Sequence, residues 1–134
     1  MEINPRQLNG IVLAYIGDAI YEVYIRQHLI ESGQLNPHEL HNRAVKFVAA
    51  PGQARVIHQW LNNDQLTEDE EAIVRRGRNA KSGSIPKNAS IREYRYATGF
   101  ETLLGFLHLE GRTERIEELV MMAIQIIEET EKKG

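Results

Sequence analysis

No cysteine occurs among the 134 residues, which excludes disulfides and thiolate metal sites and fits a reducing compartment. No apolar run approaches the ~20 residues that a membrane-spanning helix needs. The opening, MEINPRQLNG, lacks the basic-then-apolar pattern of a secretory signal. The expectation is a soluble, cytoplasmic protein without membrane association. No segment alternates apolar and polar residues long enough to make a strand, and no internal repeat is visible. There is no phosphate-cradling glycine loop and no arguable Ser/His/Asp set. His38 and His41, in HELH, are spaced i, i+3 at a helix start without a third ligand, which is not the zinc-protease pattern. At this length the chain reads as a single domain, 1–134, with one core.

What is present is helical. Asn4 and Pro5 form a start signal, a cap followed by a first-turn proline. Leu8, Val12, Tyr15, Ile16, Ala19, Ile20 and Val23 then recur at helical spacing and make the expected apolar face, with Gly33 as a stop. Asn36 and Pro37 repeat the start signal, with Glu39 at the capping-box position; Leu40, Ala44, Val45 and Val48 give this second helix its apolar face, and Pro51 ends it. PGQARVIHQWL reads as a third helix with Val56, Ile57 and Trp60 inward. A fourth opens on a capping box, Thr67 with Glu70, and carries further acids where the helix dipole favours them. RNAKSGSIPKNAS is loop-like. Ser90 and Glu93 start a helix running to Gly111, and Thr113 caps a last one carrying Ile116, Leu119, Val120, Ala123, Ile124 and Ile127. A tail at 129–134 is expected to fray. The fold expected is an all-α bundle of about six or seven helices.

Two carboxylates sit oddly. Asp18 lies within LAYIGDAIYEVY and Glu101 within TGFETLLGFLHL, each among apolar neighbours, and an ionised carboxylate is costly to bury unless paired, hydrogen-bonded or metal-bound. One reading puts Asp18 on the wet stripe of an amphipathic helix. The other makes the pair a hard-metal site, since magnesium is held by one or two carboxylates while keeping several waters. Glu22, one turn beyond Asp18, reads as an i, i+4 partner of Arg26, with help to a metal through a bound water as the alternative. His108 lies among leucines and reads as a residue that packs or faces a partner.

Charge is unevenly spread. The formal net charge is −3, yet Arg75, Arg76, Arg78, Lys81, Lys87, Arg92 and Arg95 stand against one acid, Glu93, a local charge of +6 in 21 residues. The remainder carries nine basic and eighteen acidic residues. Arg75, Arg76 and Arg78 suit a helix C-terminus; the other four need another reason. A polyanion site supplies it, because each phosphate neutralised releases counterions. Tyr94 and Tyr96 flank Arg95, placed to stack, hydrogen-bond or pack.

YIGDAIYE resembles the signature helix of the ribonuclease III catalytic domain, written around Leu-Gly-Asp-Ala. FETLLGFLHLE resembles that family's second motif, a Phe-Glu followed by Ala or Thr, Leu, Leu or Ile, and Gly. The order and separation fit, the resemblance covers nearly the whole chain, and no length remains for the double-stranded-RNA-binding domain that standard members append. RRGRNAKSG, PKN and YRYATGFE look like the stand-alone mini-III ribonucleases.

The resemblance implies a ribonuclease III-like endonuclease domain acting as a homodimer, with one site in each subunit of a positively lined valley. It places the catalytic, metal-binding acids on Asp18 and Glu101, and the cofactor as Mg²⁺, with Mn²⁺ able to substitute. It implies hydrolysis of double-stranded RNA by a metal-activated water, leaving 5′-phosphate and 3′-hydroxyl ends, in ribosomal RNA precursors of the large subunit. Arg75, Arg76, Arg78, Lys81, Lys87, Arg92 and Arg95, around a loop at 78–92, would grip the RNA. The apolar run LLGFLHL is expected to be partly buried between subunits. Two acids usual in the family are replaced, four before Asp18 by Ala14 and three before Glu101 by Thr98. These losses support the alternative, a non-catalytic RNA-binding or ribosome-associated protein on the same fold. A purely structural helical dimer would leave the basic block unexplained.

Overall fold

Asn9, rather than Asn4, caps the first long helix. The Asn4 side chain accepts the Arg6 N–H and opens only a 3-10 turn, Pro5–Gln7; Asn9 then accepts the Ile11 N–H and starts α1, Gly10–Glu31. Five helices follow: α2, Pro37–Val48; α3, Ala50–Asn62; α4, Glu68–Asn79; α5, Ile91–Leu109; and α6, Thr113–Lys133. The structure, a computed structural model, describes residues 2–33, 36–80 and 90–133, and among these there is no strand. The all-α expectation holds. Lys81, Lys87 and most of the expected 78–92 loop lie outside the described residues.

The starts of α2, α4 and α5 follow from their caps. The Asn36 carboxamide accepts from His38 and Glu39 N–H groups, Thr67 and Glu70 close a full capping box, and Ser90 accepts from the Glu93 N–H. Each satisfies first-turn donors that have no partner within the helix. Thr113 is the first residue of α6 rather than its cap. That helix also stays helical through the 129–133 segment expected to fray, and Arg43 and Lys46 of α2 lie 3.9 and 3.6 Å from Glu131 near its end.

α5 is the axis of the molecule, packed against α1, α3 and α4. Phe100 stacks on Trp60 of α3 at 5.5 Å between ring centres and meets the edge of Tyr21 of α1 at 4.7 Å. Such pairs add roughly 0.5–1.5 kcal/mol to the burial itself. Leu103, Leu104, Phe106 and Leu107 are all buried within the single chain. These four residues of the run LLGFLHL are therefore this domain's own core, whereas His108 and Leu109 at its end are exposed.

The face α1 buries also differs from the expected one. Leu13, Tyr21, Ile25 and Leu29 point inward with Gly10, Ala14 and Gly17, whereas Val12, Tyr15, Ala19 and Val23 are exposed. The glycine decides this. A Cβ on Gly17 would lie 1.8 Å from the Glu101 carbonyl oxygen, so α1 meets α5 backbone to backbone along a face that periodicity of bulky residues does not reveal. An apolar stripe remains on the outside, joined by exposed Met121 of α6.

Candidate active site

The close crossing of α1 and α5 brings Asp18 and Glu101 together. Gly17 presses on the Glu101 carbonyl, so the next residue, Asp18, stands at the margin between the crossing and the exposed face. Glu101 follows Phe100, which the Trp60–Phe100–Tyr21 stack fixes in rotation. Both acids line one open cleft of about 610 Å³, with Ala14, Tyr15, Tyr94 and Thr98 around them. The two readings of Asp18 merge: it is on the wet side of its helix, and its carboxylate meets a second one.

Burial pushes the Glu101 carboxyl up to about 9, helped by a hydrogen bond with Asp18, by the charge of Asp18 and by that of Glu22; a hydrogen bond from Gln53 opposes the rise. At neutral pH and without a metal, Glu101 therefore holds a proton beside Asp18. Two facing carboxyl groups are a donor set in which a divalent cation can replace the Glu101 proton. Glu22 makes the expected i, i+4 pair with Arg26, 2.6 Å apart, yet stays near enough for its charge to act on Glu101.

Ala14 and Thr98, where the family resemblance leads one to look for further acids, do line this cleft. The Thr98 hydroxyl is used within its own helix, donating to the Tyr94 carbonyl at 2.9 Å. Among the described residues no group of three or more acids or histidines is placed to hold a metal. Asp18 and Glu101 are the two acids that line this cleft.

Gln53 was missed in the sequence. It is buried in the first turn of α3, and its Nε2 donates to Glu101 Oε2 at 3.5 Å. The signal was there: residues 53, 56, 57 and 60 form one helical stripe, with a polar residue among three apolar ones.

One turn N-terminal on α5, a basic pocket of about 380 Å³ is lined by Arg78, Asn79, Ile91, Arg92, Arg95 and Tyr96. The guanidinium groups of Arg78 and Arg92 lie over the Tyr96 ring, 5.4 and 5.7 Å from its centre, and His58 tilts against it at 4.1 Å. Burial, then the Arg92 charge, holds His58 below the ordinary histidine range. Tyr96 thus gathers two cations from the stems of the 81–89 segment, and Tyr94 faces the acid cleft instead. Arg75 is exposed, but Arg76 turns inward and donates to the Leu8 carbonyl, fixing the approach to α1. His38 bonds Asn42, and His108 is exposed beside α6.

The chain is similar to known proteins over nearly its whole length. The family described as Ribonuclease III domain matches residues 11–112. A protein of Enterococcus faecalis named Mini-ribonuclease 3 is 50% identical over 128 residues, covering 96% of this chain and 97% of that one. A Mini-ribonuclease 3 of Streptococcus pneumoniae is 48% identical, covering 94% and 98%. A crystal structure of a Fusobacterium nucleatum protein superposes with a TM-score of 0.80 at 29% identity, covering 90% of this chain and 94% of that one. With Asp18 and Glu101 facing one another on the two motif helices, this chain belongs to the ribonuclease III family of endoribonucleases, in its mini-ribonuclease III branch.

Proposed function

We propose that the protein is a magnesium-dependent endoribonuclease of double-stranded RNA, with Asp18 and Glu101 as the catalytic, metal-holding pair. The observation that carries this reading is the meeting of these two carboxyl groups in one open cleft, beside a basic pocket, in a chain of this family. Two carboxylates suit one hydrated Mg²⁺ that keeps most of its waters, and Mn²⁺ would fit the same oxygens. Bound there, the ion supplies positive charge to the phosphate and acidifies water. Glu101 must release its proton on loading, and Asp18, at the exposed margin, meets the incoming phosphodiester. In the reaction a water oxygen bonds to phosphorus and the P–O3′ bond breaks. The 3′ oxygen leaves as a hydroxyl, and the phosphate stays on the 5′ end.

Arg75, Arg78, Arg92 and Arg95 are assigned to the RNA backbone, with Lys81 and Lys87 from the segment between; Arg76 is left out because it is committed to Leu8. A-form duplexes are recognised through shape, phosphates and 2′-hydroxyls, so the protein itself carries little base specificity. The mini-III resemblance points to large-subunit (23S) ribosomal RNA precursors, in the cytoplasm. Cutting both strands takes two sites. The exposed Val23 of α1 and Met121 of α6, which line a groove of about 800 Å³, support a homodimer through this face.

The replacement of two family acids by Ala14 and Thr98 favours a second reading, a non-catalytic RNA-binding protein. Incubation with long duplex RNA separates the two. Cleavage with Mg²⁺ that stops in EDTA supports the enzyme; binding without cleavage at any Mg²⁺ or Mn²⁺ concentration supports the binder.

A further inference from the structure

Among the described residues, four polar ones are buried: Gln53, Glu70, Thr98 and Thr102. Three serve the fold. Glu70 is bonded by Arg115 and Thr67, and the two threonines bond helix carbonyls. Gln53 differs, since the partner of its side-chain N–H group is the Glu101 carboxyl, 3.5 Å away. A carboxamide 1% exposed is costly to keep without a bond, and its neighbours on the stripe, Val56, Ile57 and Trp60, show that apolar residues pack there.

We infer that Gln53 is a positioning residue that holds the Glu101 carboxylate for its metal, an inference that rests on the proposed metal role of Glu101. The backbone of Gln53 is fixed by its neighbour: a Cβ on Gly52 would meet the Lys46 carbonyl oxygen at 2.5 Å, so the first turn of α3 is pressed onto the end of α2. From there a neutral donor reaches Oε2 and adds a second restraint, beside Asp18, on the Glu101 side chain. Neutrality matters as much as reach. Lysine or arginine at this position would pair with Glu101 and compete with a cation, whereas an amide N–H orients the carboxylate and leaves its charge. Partners that orient metal ligands in this way are typically worth 10–100-fold in affinity or activity.

The test is Gln53→Met, which keeps length and apolar bulk but removes the donor, with Glu101→Gln as its control. Free Mn²⁺, followed by its electron paramagnetic resonance signal, reports metal affinity without reference to cleavage. Gln53→Met should weaken Mn²⁺ binding about tenfold or more and raise the metal concentration for half-maximal cleavage in parallel, with KM for duplex RNA unchanged. Wild-type metal affinity in folded Gln53→Met, where Glu101→Gln does weaken it, overturns the inference and leaves the metal reading of Glu101 standing. Unchanged affinity in Glu101→Gln overturns both. Should Gln53→Met fail to fold, the wild-type protein decides: the Gln53 side-chain amide NMR signals should shift and exchange more slowly with water when Mg²⁺ is added. Unmoved, fast-exchanging signals contradict the role.

Discussion

Gly105 of α5 lies against Leu13 of α1 so closely that a Cβ on the glycine would stand 1.9 Å from the Leu13 carbonyl oxygen. With Gly17 against Glu101, this makes a two-glycine crossing, and the separation of the two helices there sets the separation of the two acids. Overpacking a filled core costs about 1–3 kcal/mol, occasionally more, and here the obstacle is backbone, which cannot rotate away. Gly105→Ala should therefore lose at least about 3 kcal/mol by urea unfolding. A loss below about 1 kcal/mol would mean that the crossing relaxes readily.

Much of the fold was legible because caps are local chemistry. Asn36, Thr67 and Ser90 each start the helix that the sequence assigns to them. The buried face of α1 was not legible, because it is defined by Gly10, Ala14 and Gly17, residues whose importance is their smallness, while the bulky Val12, Tyr15 and Val23 face outward. Asp18 and Glu101 stood out as candidates because a carboxylate in an apolar run is conspicuous and because their two motifs resemble those of the family. Gln53 was hidden because a single neutral amide in a helix is ordinary until its partner, 48 residues away, is in place.

Glu70 gives a pH dependence with a definite sign. Burial pushes its carboxyl up, but the Arg115 guanidinium, bonded at 2.7 and 2.8 Å, together with the Thr67 N–H and the Arg112 charge, holds it below its ordinary 4.5. A group depressed on folding contributes stability above its unfolded value, and that contribution is lost as pH falls through the folded value. Arg115→Met leaves a buried unpaired carboxylate and should cost about 3–5 kcal/mol at pH 7. The gap from wild type should narrow in acid as Glu70 takes up a proton. Urea unfolding at several pH values measures it, and a gap independent of pH would contradict the assignment.

The basic pocket predicts salt dependence. Removing one phosphate-binding cation should shallow the log–log salt slope of duplex RNA binding by about one unit. Arg78→Ala with Arg92→Ala should shallow it by about two and weaken affinity, while cleavage at saturating RNA is better preserved. Lys81→Ala with Lys87→Ala should act in the same direction. Filter binding across a salt series reads both pairs, and an unchanged slope means that the pair in question does not touch the RNA backbone.

The exposed stripe predicts the oligomeric state. Wild type should sediment as a dimer, and Val23→Asp with Met121→Asp should give a monomer with unchanged helical circular dichroism. Since Leu103, Leu104, Phe106 and Leu107 are already buried in one chain, they are not available to this interface. A wild-type monomer that retains double-strand cleavage would rule the dimer out.

The central claim is that one carboxyl pair performs the chemistry, and cleavage by Asp18→Asn and Glu101→Gln tests it most directly. Both substitutions keep the shape of the side chain and remove a carboxylate from a cleft that is open to solvent, so both proteins should fold with wild-type circular dichroism and bind duplex RNA. With Mg²⁺ in excess, the wild-type protein should cut long duplex RNA, and neither variant should cut it measurably. Undiminished Mg²⁺-dependent cleavage by either folded variant would contradict the account.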